Sequence, residues 1–308
     1  MLMIVDANNM AYRALYTLSL SYYGKDTSIT YGSFLMLTAL FRKFQPSSIV
    51  ACFDGGSPAF RLELFPQYKA HRTHNSEERD WEDVYRQIDE LCYYAYPLHG
   101  IMTLRAEGIE ADDLMAQAAH LSPERSIIVT TDDDLLQCVC ERTSLYNPTK
   151  DQVYTQDNLE ELTGVPLNFQ RFYKMLCGDA SDNIPGVPHI GEVTAKKVIS
   201  FICDTDRWLD PYNYLELLCS LDELPLNVRQ KESFQEMGAE RWAALYQVID
   251  LTADRAGARK VVLETAWLPA QADKIRKYYI RNGFVSLLEE RTDRLYSNLV
   301  KPQFTSPT

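Results

Sequence analysis

Four short apolar runs in the first 134 residues each lead directly into an acidic residue, and helical patterns separate them. "LMIVDA" (2–7) reads as a buried strand ending on Asp6, followed by the helical "NNMAYRALYTL". A helix over about residues 30–44 leads to "SSIVACFD" (47–54), a second strand ending on Asp54. "WEDVYRQIDELCYYAYPLHG" has helical periodicity closed by Gly100, and "IMTLRAEG" is a third strand. The helix "IEADDLMAQAAHL" then opens on Glu110, Asp112 and Asp113, and a fourth strand, "RSIIVTTD", delivers Asp132. Strands alternating with helices predict a parallel sheet covered on both faces. In such a sheet the carboxyl ends of the strands share one edge, which is where ligands bind.

Carboxylates gathered on one rim repel one another, and in the absence of cations several would have to stay protonated. Divalent cations with a preference for hard oxygen, Mg²⁺ or Mn²⁺, remove that conflict. Two such ions ~4 Å apart suit the hydrolysis of a phosphodiester. Taken singly, each acid also fits a strand-end turn, a helix dipole or a cap, as Asp132–Asp134 would for "DLLQCV". The occurrence at four successive strand ends favours the metal reading. It also bears on the formal charge of -12, which on its face argues against a nucleic-acid partner. That objection weakens if many of the 43 acids are gathered in one place to hold cations, so where the acids sit matters more than their sum.

The second half is mostly helical from "QDNLEELTGV" onward, interrupted by "GDASDNIPGVPHIG" (178–191). That stretch places Asp179 and Asp182 before a tight turn, and a helix with Lys196 and Lys197 follows. A glycine-containing hairpin between helices can aim backbone N–H groups at a phosphate. An ordinary capped helix connection is the other reading of the same spacing. Residues 60–79, "FRLELFPQYKAHRTHNSEER", are polar and basic, an excursion from the core. No apolar run spans a bilayer, the start "MLMIVDANNM" shows neither a basic n-region nor a cleavage site, and seven cysteines without a C-x-x-C pair fit reduced thiols. A cytoplasmic protein that does not enter membranes is expected.

The ordered set "VDANNMAYRA", "FDGG", "FRLELFPQYKAHR", "GIEADDL", "TTDDDLLQ" and "GDASDNIPGVPHIG" resembles the 5′-nuclease family. That family comprises flap endonucleases and 5′-3′ exonucleases of bacteriophages and of bacterial polymerase-I N-terminal domains. The resemblance covers most of residues 1 to about 200. It implies a PIN-like α/β core over 1–170 with a helical arch or clamp at about 60–85. A helical region would follow over 171–308, with a helix-hairpin-helix at about 178–202. It implies a free-standing, monomeric, phage-type enzyme acting in replication or repair, in the host cytoplasm if phage-encoded.

The resemblance also assigns roles. Asp6, Asp54, Glu110, Asp112, Asp132 and Asp134, with Asp113 alongside, match the acids of the tighter metal pocket. Asp179 and Asp182 match those that complete the second. Arg13 matches a position near the 5′ phosphate, and Lys69 and Arg72 match the basic pair that engages the scissile phosphate. Tyr68 would stack on an unpaired base, and Arg61, Gly186, Gly191, Lys196 and Lys197 would contact DNA. The substrate would be branched or duplex DNA with a 5′ single-stranded end, or an RNA–DNA hybrid. A PIN-type or ribonuclease H-like RNase and a metal-free junction-binding protein are the competing readings.

Two departures from the family pattern stand out. His189 replaces the middle glycine of the hairpin, which bears on its duplex contact and on the K⁺ ion bound there in the family. Asp133 fills the variable middle position of D-x-D and is not expected to be a ligand.

Overall fold

The computed structural model describes residues 1–56, 58–71, 80–204, 210–253 and 255–305. The chain forms two compact units, Met1–Ser57 with Asn75–Val153 and Asp254–Thr308, and Pro58–His74 with Tyr154–Ala253. The division expected at 170/171 does not coincide with these units. The last segment returns to the first unit because Ile275, Tyr278, Tyr279 and Phe284 are buried in its core. The region expected to form an arch is also divided, with residues 58–71 belonging to the second unit. Among the described residues, no helix is long and apolar enough to cross a membrane.

The first unit is built on a six-stranded sheet. Its strands are β1 (Leu2–Asp6), β2 (Ser48–Cys52), β3 (Met102–Leu104), β4 (Ser126–Val129), β5 (Thr143–Asn147) and β6 (Gln152–Tyr154), in the order β3-β2-β1-β4-β5-β6. β1 runs parallel to both β2 and β4, and the pairs β2–β3 and β4–β5 are parallel too. Every residue of β1, β2 and β4 is buried, which is why these strands read as continuous apolar runs rather than alternating ones. Register puts Asp6 level with Cys52 and Val5 level with Val129. Asp54 and Asp132 therefore lie just past their strand ends on the edge where Asp6 emerges.

Helices α1 (Ala7–Thr17), α2 (Ser28–Phe44), α3 (Trp81–Glu90) and α4 (Ala111–Leu121) connect the strands. The helix expected across 81–100 runs through a π-helical stretch, Leu91–Ala95, to Tyr96–Leu98, and Gly100 ends it at φ +76°. His99 is buried beneath it, with Nε2 2.8 Å from the Tyr279 hydroxyl. Burial pushes the His99 imidazole down to about 4, against the Ala95 carbonyl that favours its charged form.

The second unit is helical around a core that includes Phe172, Val198, Phe234 and Trp242. Helix α5 (Gln170–Cys177) runs into a two-stranded antiparallel ribbon, Gly178–Asp179 with Ile184–Pro185, and α6 (Glu192–Asp204) follows the hairpin. Gly186 packs onto the end of α5 so closely that a Cβ there would lie 2.4 Å from the Cys177 carbonyl carbon. His189 does adopt the left-handed conformation, φ +66°, and its carbonyl accepts from Gln230 Nε2 at 2.9 Å. Gln230 is itself fixed by a capping box with Asn227.

Candidate active site

On the first unit's sheet edge, Asp6 both ends β1 and caps α1. Its Oδ1 accepts from Asn9 N at 2.8 Å and its Oδ2 from Thr130 Oγ1 at 2.9 Å. Asp54 Oδ1 accepts from Ala111 N at 2.9 Å, tying the end of β2 to the start of α4, and Asp54 N donates to Asn8 Oδ1 at 3.0 Å. Gly55 makes this junction possible, since a Cβ there would overlap the Ala106 carbonyl oxygen at 1.5 Å. Its N–H and C=O instead bond Ile109 O and Gly108 N, both at 2.9 Å. Glu110 is buried at the N-cap of α4, with Asp112 in its first turn. Asp132 Oδ1 accepts from Asp134 N at 2.8 Å, and Asp132 N donates to Thr130 Oγ1 at 3.1 Å.

These acids feel one another. Burial pushes the Asp6 carboxyl up to about 7, and the charges of Asp54 and Asp132 add to the rise against the bonds from Asn9 and Thr130. Asp112 is held well above the usual carboxylate range, first by burial and then by Asp132, Asp6, Asp54 and Glu110. Five carboxylates thus share one field with no cationic side chain among the causes of either shift. An all-oxygen, mutually repelling donor set of this kind fits a hard divalent cation.

The three consecutive aspartates have distinct settings. Asp133 is exposed and pairs with Lys150 at 2.8 Å. Asp132 and Asp134 are half-buried, on the turn that follows β4. Asp113 is also distinct from its neighbour Asp112, being buried with its carboxylate 3.9 Å from Arg255 Nε.

In the second unit, Asp179 Oδ1 accepts from Ser181 N at 2.7 Å and Ser181 Oγ at 2.6 Å, and its Oδ2 pairs with Lys174 Nζ at 2.8 Å. Burial alone would raise the Asp179 carboxyl, but Lys174 and Ser181 outweigh it and hold it well below the usual range. Asp182 Oδ2 accepts from the Tyr68 hydroxyl at 3.1 Å and lies 3.6 Å from Lys69 Nζ. Lys69 N also donates to Asp182 O at 2.9 Å, and Lys69 takes a left-handed φ of 54°. The "YKA" segment is therefore anchored on the "GDASDN" turn.

Several expected DNA contacts are placed otherwise. Tyr68 is 6% exposed and its hydroxyl is engaged, so its ring has no face for an unpaired base. Arg61 is 2% exposed, donating from Nε to Val248 O at 3.0 Å beneath the short helix Ala59–Leu64, and cannot reach DNA. Lys196 Nζ donates to Thr163 O at 2.7 Å, so its charge serves the fold. Gly186 is required by packing against α5. Lys197 and Gly191 are exposed, and Arg13 is half-buried on α1. Arg72 lies outside the described residues.

Sequence reasoning passed over Asn8, Asn9 and Thr130, which fix Asp54 and Asp6, and Lys174, the counter-ion of Asp179. Asn8 and Asn9 directly follow Asp6 in "VDANN", a cue that this strand end is built of polar groups.

Comparison with known proteins gives a consistent picture. Residues 1–164 match the family described as 5′-3′ exonuclease, N-terminal resolvase-like domain. A Bacillus subtilis 5′-3′ exonuclease is 31% identical over 309 residues, covering 95% of this chain and 97% of that protein. DNA polymerase I of Mycobacterium bovis is 35% identical over 210 residues, 65% of this chain; the match takes in 23% of the polymerase's length. Two solved structures share the fold. The T5 5′-exonuclease with bound zinc has a TM-score of 0.66 at 22% identity, covering 91% of this chain and 98% of its own. The catalytic core of Rad2 in complex with DNA substrate has a TM-score of 0.55 at 20% identity, covering 97% and 92%. A family match across more than half of the chain and a relative aligned over nearly its whole length lead to one conclusion: the chain belongs to the 5′-3′ exonuclease family.

Proposed function

We propose that this chain is a divalent-metal-dependent, structure-specific 5′ nuclease that hydrolyses DNA phosphodiesters near 5′ ends or branch points. The observation that carries the reading is the shared field of Asp6, Asp54, Glu110, Asp112 and Asp132 on one sheet edge. Its donor set suits Mg²⁺ or Mn²⁺ better than any softer metal. Asp6, Asp54, Glu110, Asp112, Asp132 and Asp134, with Asp113 alongside, would hold one ion; Asp179 and Asp182 would supply ligands to a second. Bound there, the ions supply Lewis-acid activation of water and neutralise charge on the phosphate.

The chain's own groups do the rest. Lys69, Arg72 and Arg13 bring positive charge to the scissile phosphate and favour the transition state, in which negative charge builds up. Thr130 and Asn9 orient Asp6 so that its oxygens do not have to reorganise when an ion arrives. Duplex rests on the hairpin around Gly191 and on Lys197, through phosphate contacts that carry no sequence information. The products are a 5′-phosphate and a 3′-hydroxyl. RNA–DNA hybrid is a second substrate in this reading, K⁺ sits at the hairpin, and the enzyme works as a monomer in the cytoplasm.

The test is cleavage of an end-labelled 5′-flap DNA, a hybrid and a free RNA strand, each with Mg²⁺ and with EDTA. Cutting of the flap in Mg²⁺ alone is expected. Full Mg²⁺-dependent flap cleavage by Asp112→Asn, or a preference for free RNA, would overturn the assignment.

A further inference from the structure

The helix Ala272–Arg281 carries Lys274, Lys277 and Arg281, spaced by three and four residues and so on one face. With Lys25, Tyr94, Tyr278 and Asn282 they line a cavity of about 430 Å³ in the first unit. None of the metal-site acids lines it. Among the described residues the one acid that does, Glu90, is already engaged. It accepts from the Tyr278 hydroxyl at 2.9 Å and pairs with Arg86 at 3.1 Å and Lys25 at 3.5 Å. Among the described residues, Lys274, Lys277 and Arg281 have no carboxylate within 4.0 Å.

Three cations lining one hollow, with no carboxylate partner among the described residues, are unusual on a chain of formal charge -12. Helix-dipole compensation does not account for them. Arg281 lies in the last turn, where a cation is favoured, but Lys274 lies in the first turn, where it is not. The lining also includes two tyrosines, Tyr94 and Tyr278. The π-helical stretch Leu91–Ala95 puts Tyr94 at the surface, 53% exposed, with its ring 5.7 Å from that of Tyr278. Cations for phosphate beside an exposed ring for a base form a nucleotide-binding combination. The volume falls within the range of about 300–1,000 Å³ seen for small-molecule sites.

We infer that this cavity is a nucleotide site distinct from the acidic edge, with phosphate held by Lys274, Lys277 and Arg281 and the base laid against Tyr94. The shared chemistry is a phosphorylated nucleoside, either a free nucleotide or a nucleotide of a DNA strand. The second source rests on the nuclease reading above; the first does not.

Binding is measured in EDTA, so that metal chelation at the acidic edge plays no part. Calorimetric titration with dATP and with inorganic tripolyphosphate tests the free source, and the Kd for a nicked 5′-flap DNA tests the strand source. The variants are Lys277→Ala/Arg281→Ala, Tyr94→Ala, and a control that removes equal charge elsewhere, Arg294→Ala/Lys301→Ala.

For the free source, dATP saturates at one per chain and the pocket double variant weakens it at least tenfold. Tyr94→Ala then weakens dATP but not tripolyphosphate. For the strand source, dATP does not saturate, and the pocket variant raises the DNA Kd at least tenfold while the control does not. If pocket and control variants behave alike in both titrations, there is no such site.

Discussion

The Tyr68 hydroxyl donates to Oδ2 of Asp182, and the neighbouring Lys69 ammonium approaches the same oxygen. An aromatic residue in a basic, polar stretch thus serves as a hydrogen-bond donor to a buried carboxylate. Tyr68→Phe keeps the ring and removes only that bond. A hydrogen bond to a charged group contributes about 1.5–3 kcal/mol. The expected result is a melting temperature lower by several degrees, at about 2–4 °C per kcal/mol. Mn²⁺ affinity should weaken with it, since Asp182 loses its fixed orientation. A ring that acted by base stacking would make Tyr68→Phe silent in both measurements.

The acidic edge sets a pH dependence whose sign can be worked out. Asp6 is pushed up to about 7 in the folded chain, against about 3.9 unfolded. Between those values the folded state holds a proton that the unfolded state has released, so metal-free stability falls as pH rises through the window. His99, lowered to about 4 by burial, works in the opposite sense below about 6.5. Asp179, held below its usual range, loses its contribution only as pH falls below about 4. The informative quantity is therefore the difference between the parent and Asp6→Asn. In EDTA, the parent's melting temperature should drop relative to the variant's between pH 4.5 and 7.5, and Mg²⁺ should restore it. A difference independent of pH would show that Asp6 is ionised throughout.

Asp133 and Asp132 are adjacent yet chemically unlike. Asp133 is a surface partner of Lys150, a class of pair that contributes about 0–1 kcal/mol. Asp133→Gly should therefore leave flap cleavage within a few-fold of the parent. Asp132 adds to the fields that raise both Asp6 and Asp112. Asp132→Asn, and by the same reading Asp134→Asn, should lower kcat by at least two orders of magnitude while thermal stability in EDTA holds or improves. Equal losses at all three positions would remove the distinction.

Much of this site was legible because a parallel sheet turns sequence order into geometry. Once the apolar runs are taken as buried parallel strands, the acids after them have one edge to share, and Asp6, Asp54 and Asp132 follow. β5 was not legible, since "TSLYN" has little of the apolar continuity of β1, although it lies between β4 and β6 in the sheet. The return of the chain beyond residue 254 to the first unit depends on contacts such as His99 with Tyr279, 180 residues apart. Composition also misled at 58–71. A basic stretch reads as surface, yet a short helix there buries Arg61, and nothing local tells which of its faces turns inward. Lys174 escaped notice because its partner, Asp179, lies across the end of α5, outside the i+3 and i+4 spacings of a helical pair.

His189 tests how far the hairpin tolerates a side chain where the family pattern has glycine. At φ +66° a residue with a Cβ costs roughly 1 kcal/mol or more, offset by the entropy that glycine would lose on folding. His189→Gly is expected to be neutral to stabilising by about 1 kcal/mol, whereas His189→Val, branched at Cβ, should destabilise. Thermal melts of the two variants decide it. Stabilisation by valine would mean that the left-handed turn does not form.

Lys196 and Lys197 make the last comparison, since one helix turn carries both and only one is committed to the fold. Lys196 reaches the Thr163 carbonyl, where an ammonium satisfies an acceptor at the end of a short helix. Replacing it by methionine keeps the stem and removes that bond, so the loss should appear in stability, at about 1–2 kcal/mol. The same variant's DNA affinity should stay close to the parent's. Lys197 is exposed on α6, beside the hairpin proposed to meet the duplex. Lys197→Ala should leave the melt unchanged, weaken duplex binding by a few-fold and reduce the slope of log Kd against log salt by about 1. Binding of a labelled flap DNA over a salt series in Ca²⁺, read beside thermal melts, separates the two residues. If Lys196→Met lowers the salt slope and Lys197→Ala does not, their roles are reversed and the helix presents its other face to DNA.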